Sequence, residues 1–224
     1  MQSPAPNGQR HTRHSGDDVV TAALRILDEH GLPDLTMRRL AANLGVQPSA
    51  LYWHFANKQT LLASIADRIV SRTAPQAGSP DWKSSARLEA EALRDALLDY
   101  RDGAEVVAST IALGLGAHDA ENRLSAAIHR GGFDQPTSAV AAAALLHFIL
   151  GHVWHEQQRA VAHSLGVATG VSAGGDGRTR DAFDFGITLF LDGLEAAPKA
   201  GLDPSTSAEE VVRKTAGVPG MVLK

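Results

Sequence analysis

The sequence contains no cysteine, which excludes a disulfide framework, a thiolate zinc site and a cysteine nucleophile. Aromatic residues are scarce at 5%, although hydrophobic residues together reach 44% of the 224 positions and supply a sizeable core. The first sixteen residues hold no apolar stretch of signal-peptide type, and no uninterrupted apolar run approaches bilayer length. A cytoplasmic protein without a membrane partner is the expectation. Strand-like alternation and internal repeats are both missing. The Gly-rich stretch at 170–177 has neither Walker nor dinucleotide spacing, and no Gly-x-Ser-x-Gly elbow occurs. The sequence therefore predicts no enzyme, no catalytic residue and no cofactor.

Acidic charge is lacking at one end. The net charge is −4, but residues 1–72 carry eight Lys/Arg against six Asp/Glu, while 73–224 carry thirteen against nineteen. A mildly basic head on an acidic body suits a DNA reader whose other part stays off DNA.

The head holds the most informative stretch, Leu35 to Leu62. Leu40, Ala41, Leu44, Val46 and Leu51 fall where two crossed helices would bury them, with polar and amphipathic residues left over. This pattern reads as a helix-turn-helix. Before it, a helix from Asp17 carries Val20, Ala23, Leu24 and Leu27 on one face and stops at Gly31. Pro33 and Asp34 make a turn, and Thr36 is placed to cap a second helix, Met37 to Leu44. Gly45 allows a left-handed turn. Pro48 opens a third helix to about His54, and Asn57 caps a fourth helix that runs to about Thr73.

Domain boundaries follow from breakers. Residues 1–16 read as a disordered arm in which Arg10, His11, Arg13 and His14 are either a DNA-reaching basic arm or a solvated tail. Residues 17–73 form the head, including the linker helix 58–73. The breaker run at 74–80 joins it to a helical body, 81–197, and 198–224 reads as a flexible tail. In the body, helices are predicted over 81–100, to about Leu113, over 119–130, 136–163 and 178–195, with a mobile loop at 164–177. Leu88 is placed inward on the first of these. The helices at 136–163 and 178–195 are apolar nearly all round and require a core or an interface. The fold class is all-α: a three-helix head plus a C-terminal helical ligand-binding and dimerisation domain.

LTMRRLAANLGVQPSALYWHF followed by Asn57-Lys58 and Leu61-Leu62 resembles the DNA-binding domain of the TetR family of transcriptional regulators. The LYWH quartet, Leu51 to His54, is similar to its tetracycline-repressor-like subgroup. Body segments carry the likeness further: Asp81-Trp82, 101–104 with Thr110, 147–151, Glu156-Gln157, and 185–194. The resemblance covers Asp17 to Glu195. It implies a homodimer, with a four-helix bundle built from helices 136–163 and 178–195 of each subunit, and hence a palindromic operator in double-stranded DNA.

The residues expected at DNA are Thr36, Arg38, Gln47, Pro48, Ser49, Ala50, Tyr52, Trp53, His54 and Lys58. Thr36 suits a phosphate, Arg38 a guanine edge by resemblance, and Gln47 an adenine. Pro48 or Ala50 suits a thymine methyl. Tyr52, His54 and Lys58 would contact mainly the backbone, and Trp53 sugars or a base; either aromatic could instead be core. Arg39 reads as a solvated partner for an acid. At the tip Gln-Pro is displaced by one residue from the subgroup's pattern, so a different operator is expected.

The resemblance also implies an effector pocket lined by Leu93, Val107, Thr110, Arg123, His147, His152 and His155. The subgroup's magnesium-chelating histidine falls at Val107, and a valine cannot ligate a metal. That argues against a tetracycline–magnesium effector and for an apolar or amphipathic small molecule, with Arg123 available for an acidic group. His152 with His155, and His152 with Glu156, have the helical spacing of metal-ligand pairs. Polar lining residues are the simpler reading, and no metal is assigned. The function expected is a ligand-responsive repressor, with sequestration of a small molecule by a protein with a vestigial head as the alternative. A histidine-based metal enzyme is a third reading.

Overall fold

The computed structural model describes residues 14–72, 81–166 and 175–197, with the side chains of Gly175 and Asp176 excluded. These residues fold into helices without a strand among them. The basic arm at Arg10, His11 and Arg13, the joint at 74–80, most of the 164–177 loop and the 198–224 tail lie outside the described residues.

The head begins with α1, Gly16–His30, whose N-cap is Ser15. The Ser15 side chain accepts from the Asp18 amide while Asp18 accepts from the Ser15 amide, a reciprocal capping box. The Ser15 amide, and after it the Ser15 hydroxyl, donate to the Asp18 carboxylate and hold it below the usual range. Gly31, at φ 83, ends the helix, and a single 3-10 turn over Leu32–Asp34 follows. Helix α2 spans Met37–Asn43 and is capped by Thr36, which accepts from the Arg39 amide at 3.1 Å. Gly45 then adopts φ 67, the left-handed turn expected there.

The next helix is shorter than its sequence suggested. Helix α3 covers only Pro48–Leu51, and residues 52–54 continue as a turn. Leu51 shows the reason. Its carbonyl accepts from both the His54 and the Phe55 amides, which tightens the end of the helix. That tightening swings Phe55 into the core, where it is 8% exposed. Helix α4, Lys58–Ser71, starts from a second capping box between Asn57 and Thr60. Leu27, Leu35, Leu40, Leu51, Leu61 and Ile65 are fully buried at the centre of the head. Truncating one such leucine to alanine typically costs about 2–5 kcal/mol.

The body consists of α5 (Trp82–Leu98), α6 (Gly103–Ala112), α7 (His118–His129), α8 (Gln135–Ser164) and α9 (Gly175–Ala196). Two helix ends therefore enter the stretch read as a loop, Ser164 on one side and Gly175–Gly177 on the other. Helix α8 is long and apolar enough to cross a bilayer, with mean hydropathy 1.5 over its richest window. It is instead the spine of the body, packed against α5, α6, α7 and α9. Leu88 faces outward rather than into the core and is 37% exposed; the buried face of α5 runs through Ala86, Ala90, Leu93, Arg94 and Leu97. On α9, Phe183, Ile187, Leu191 and Leu194 point inward, while Phe185 and Leu189 are 65% and 57% exposed. Helices α8 and α9 approach closely at Gly186, where a β-carbon would lie 2.3 Å from the Phe148 ring.

Candidate nucleic-acid interface and the body that carries it

The ten residues expected at DNA all lie on the surface of the segment from the α2 cap to the start of α4. Thr36, Arg38, Gln47, Pro48, Ser49, Tyr52, Trp53 and His54 are exposed, and Ala50 and Lys58 half-buried. Trp53 is 90% exposed and Tyr52 52%, so neither is a core aromatic of this chain. Arg39 donates to Asp34 at 2.6 Å, as a solvated ion pair. Arg38 and Lys58 form no ion pair among the described residues, which leaves their charge available. His14, read with the arm, has Nε2 3.1 Å from the Leu44 carbonyl and ties the start of the described chain to the end of α2.

Helix α4 links this head to the body. It packs on α1 and on α5, α6 and α7. Asp67 accepts from the Ala117 amide at 2.6 Å, at a residue held in the left-handed region with φ 59. Arg123 donates to the Val70 carbonyl at 3.1 Å. Arg72 donates to the Tyr100 hydroxyl at 2.6 Å, and that bond, aided by Asp99, raises the arginine pKa further. Arg68 pairs with Asp17. A second bridge runs from the α5–α6 corner. Asp102, at φ 58 and 8% exposed, accepts from the Leu32 amide at 2.8 Å. The corner itself is pinned by Gln157 of α8, which donates to the Leu97 and Tyr100 carbonyls, both at 2.9 Å, and accepts from the Ala104 amide.

The residues expected to line an effector pocket divide into two groups. Leu93, Val107 and Thr110 are at most 2% exposed, within the packed interior. Arg123 beside them is committed to Glu89 at 3.1 Å and to the Val70 carbonyl. An occupant reaching these four would have to loosen the packing of α5, α6 and α7. His147, His152 and His155 instead line a cavity of about 800 Å³ between α8 and α9. His152 has Nε2 3.1 Å from the Thr179 carbonyl and meets the Phe183 ring edge-on. Glu156, its spacing partner, is taken by Arg94, whose Nη2 reaches both carboxylate oxygens at 2.7 and 3.0 Å. Among the described residues no three metal-binding side chains converge.

Comparison with known proteins agrees with this architecture. The family profile described as "Bacterial regulatory proteins, tetR family" matches residues 19–65, and "Tetracyclin repressor-like, C-terminal domain" matches 74–175. Tetracycline repressor protein class D of Escherichia coli is 37% identical over 154 residues, covering 67% of this chain and 70% of that one. The chain belongs to the TetR family. Among solved TetR-family structures, BioQ with its double-stranded DNA operator is 39% identical with TM-score 0.68, covering 82% of this chain and 99% of that one. A TetR variant from Acinetobacter baumannii AYE in complex with minocycline is 30% identical with TM-score 0.65, covering 81% and 97%. The chain is a TetR-family transcriptional regulator with a helix-turn-helix, and its relatives are regulators rather than enzymes.

Several residues that position the site gave little sign of it in sequence. Asp102 and Gln157 sit in segments that resemble the TetR subgroup, but their partners are 70 and 53–60 residues distant. Arg94 and Glu89 look like surface charges until α7 and α8 are folded against α5.

Proposed function

We propose that this TetR-family protein is a homodimeric repressor that binds a palindromic operator and leaves it when a small-molecule effector occupies the body. The observation that carries the reading is the α2–α4 surface, where Trp53, Tyr52 and Arg38 stand exposed, with half-buried Lys58 beside them, and neither cation has an ion pair among the described residues. Thr36 uses its oxygen to accept from the Arg39 amide, which leaves its proton to donate to a phosphate at the start of α2. Arg38 and residues Gln47 to Ala50 would read base edges, with Trp53 against sugars or a base. Tyr52, His54 and Lys58 would fix register on the backbone.

Dimerisation is supported by the outer faces of α8 and α9. Val140, Trp154, Phe185 and Leu189 are 42–65% exposed, a strip of large apolar side chains that a second copy would cover. A two-fold dimer spaces its recognition helices at about 34–36 Å, one turn of the duplex. Helix α4, tied to the body through Asp67 and Arg123, is the lever by which an effector changes that spacing. Affinity falls because the ligand prefers the splayed state.

A gel-shift titration with the DNA upstream of the protein's own operon tests the reading. A salt-sensitive, sequence-specific shift by a dimer is expected. Tight binding of a small molecule with only non-specific DNA affinity would replace it with the sequestration reading.

A further inference from the structure

Helices α1, α2, α4, α5 and α8 are each capped by a Ser, Thr, Asn or Asp of their own at the N-cap position. Helix α7 is not. Its N-cap is Ala117, which has no side-chain acceptor, and neither Asp119 nor Glu121 in its first turn makes a cap. Among the described residues, Ala117 is also one of two other than glycine with positive φ, at φ 59 and ψ 20. An alanine gains nothing locally from the left-handed region and is strained there.

What the conformation achieves is a bond to another helix. The Ala117 amide donates to the Asp67 carboxylate on α4 at 2.6 Å. In a capping box this N-cap amide is taken by a side chain three residues further on; here the acceptor lies 50 residues earlier in the chain. A carboxylate is also the favourable charge at a helix N-terminus. The approach is close: a β-carbon on Gly116 would stand 3.0 Å from the Asp67 oxygen and 3.2 Å from the Ala63 carbonyl. The reverse contact runs from α7 to α4. Arg123 donates to the carbonyl of Val70, in the last turn of α4, where a cation complements the helix end.

We propose that Asp67 is a positioning residue for operator binding: it serves as the N-cap that α7 lacks and, with Arg123, clamps α4 to α7. Helix α7 packs on α5 and on α8, the spine of the body, so the clamp makes α7 part of what carries the head. The consequence is preorganisation. A dimer must place two recognition helices one duplex turn apart. It loses affinity if each head swings on a loose α4, because binding then has to still that motion. This consequence rests on the palindrome reading; the clamp itself does not depend on DNA.

Asp67→Ala and Asp67→Asn in the full-length protein test the proposal by two measurements. Fluorescence anisotropy compares the duplex that the parent selects from a random pool with a duplex holding one half-site. Asp67→Ala should weaken the full site about tenfold, the effect of losing one charge-assisted hydrogen bond, and leave the half-site unchanged. Asp67→Asn keeps an oxygen acceptor and should stay closer to the parent. Hydrogen–deuterium exchange followed by mass spectrometry reads the clamp without DNA. Asp67→Ala should speed exchange across 116–121 and leave the buried middle of α8 as in the parent.

Unchanged exchange across 116–121 would overturn the proposal, and so would exchange that rises as much in α8, which is general loosening. An equal effect on full and half sites, or none on either, would also overturn it. Asp67→Asn behaving no better than Asp67→Ala would remove the acceptor role on which the clamp is built. If the parent selects no palindrome, the operator reading falls, and exchange across 116–121 then upholds or overturns the clamp by itself.

Discussion

Glu156→Ala is the substitution whose cost the structure defines most sharply. Arg94 is 6% exposed and Glu156 14% at the side chain, and one Arg94 nitrogen reaches both carboxylate oxygens. With the carboxylate gone, Arg94 keeps only Asp95 at 3.5 Å and the Phe183 ring 5.5 Å away, and its Nε is already buried without a partner. A cation left uncompensated in such a place costs about 3–5 kcal/mol. For a chain of this size that lowers the melting temperature by about 6–20 °C, at about 2–4 °C per kcal/mol. The pair itself contributes far less than this, because both charges were desolvated to make it. Arg94→Met/Glu156→Met, which removes both charges at similar volume, should therefore lie within about 1 kcal/mol of the parent or above it. Urea unfolding at one fixed protein concentration compares the parent and Glu156→Ala with the cycle of Arg94→Met, Glu156→Met and their double variant. A Glu156→Ala variant within about 1 kcal/mol of the parent, or a double variant as unstable as the single one, would refute the reasoning.

Trp53→Ala should leave the melting temperature within about 2 °C of the parent, since the indole is 90% exposed, while weakening DNA binding tenfold or more by fluorescence anisotropy. Gly186→Ala drives a methyl group to 2.3 Å from the Phe148 ring; overpacking of about 1–3 kcal/mol is expected, seen as a lower urea midpoint with any dimer weakened. The Asp18 carboxyl is held low by the Ser15 amide and hydroxyl. Its contribution is present above the unfolded value of about 3.9 and lost as pH falls through the folded one. Asp18→Asn should flatten that part of the acid limb in a stability-versus-pH series.

How much could be read in advance depended on how local the cause was. Thr36, Asn57, Gly31 and Gly45 act on neighbours within a few residues, and each does in the structure what its type and spacing predicted. Helix α3 ends short of His54 because the Leu51 carbonyl takes both the His54 and the Phe55 amides as Phe55 turns into the head's core, a burial that the residues around it do not announce. On α5 and α9 the apolar residues outnumber the inward positions, so periodicity alone placed Leu88 on the wrong face and did not separate Phe183 from Phe185. The body's arginines were the least legible part. Arg94 and Glu156 are 62 positions apart, and Arg123 meets Glu89 across 34. The exposed surface proposed for DNA was the opposite case, since its residues lie within one short segment.

Selection of duplexes from a random pool by the full-length protein, followed by salt titration of the winning sequence, tests the central claim most directly. A two-fold symmetric motif is predicted, with half-site centres about one helical turn apart. A dimer should bind it with an affinity that falls linearly in log–log form as salt rises. Recovery of no motif, or of an asymmetric site bound by a monomer, would contradict it.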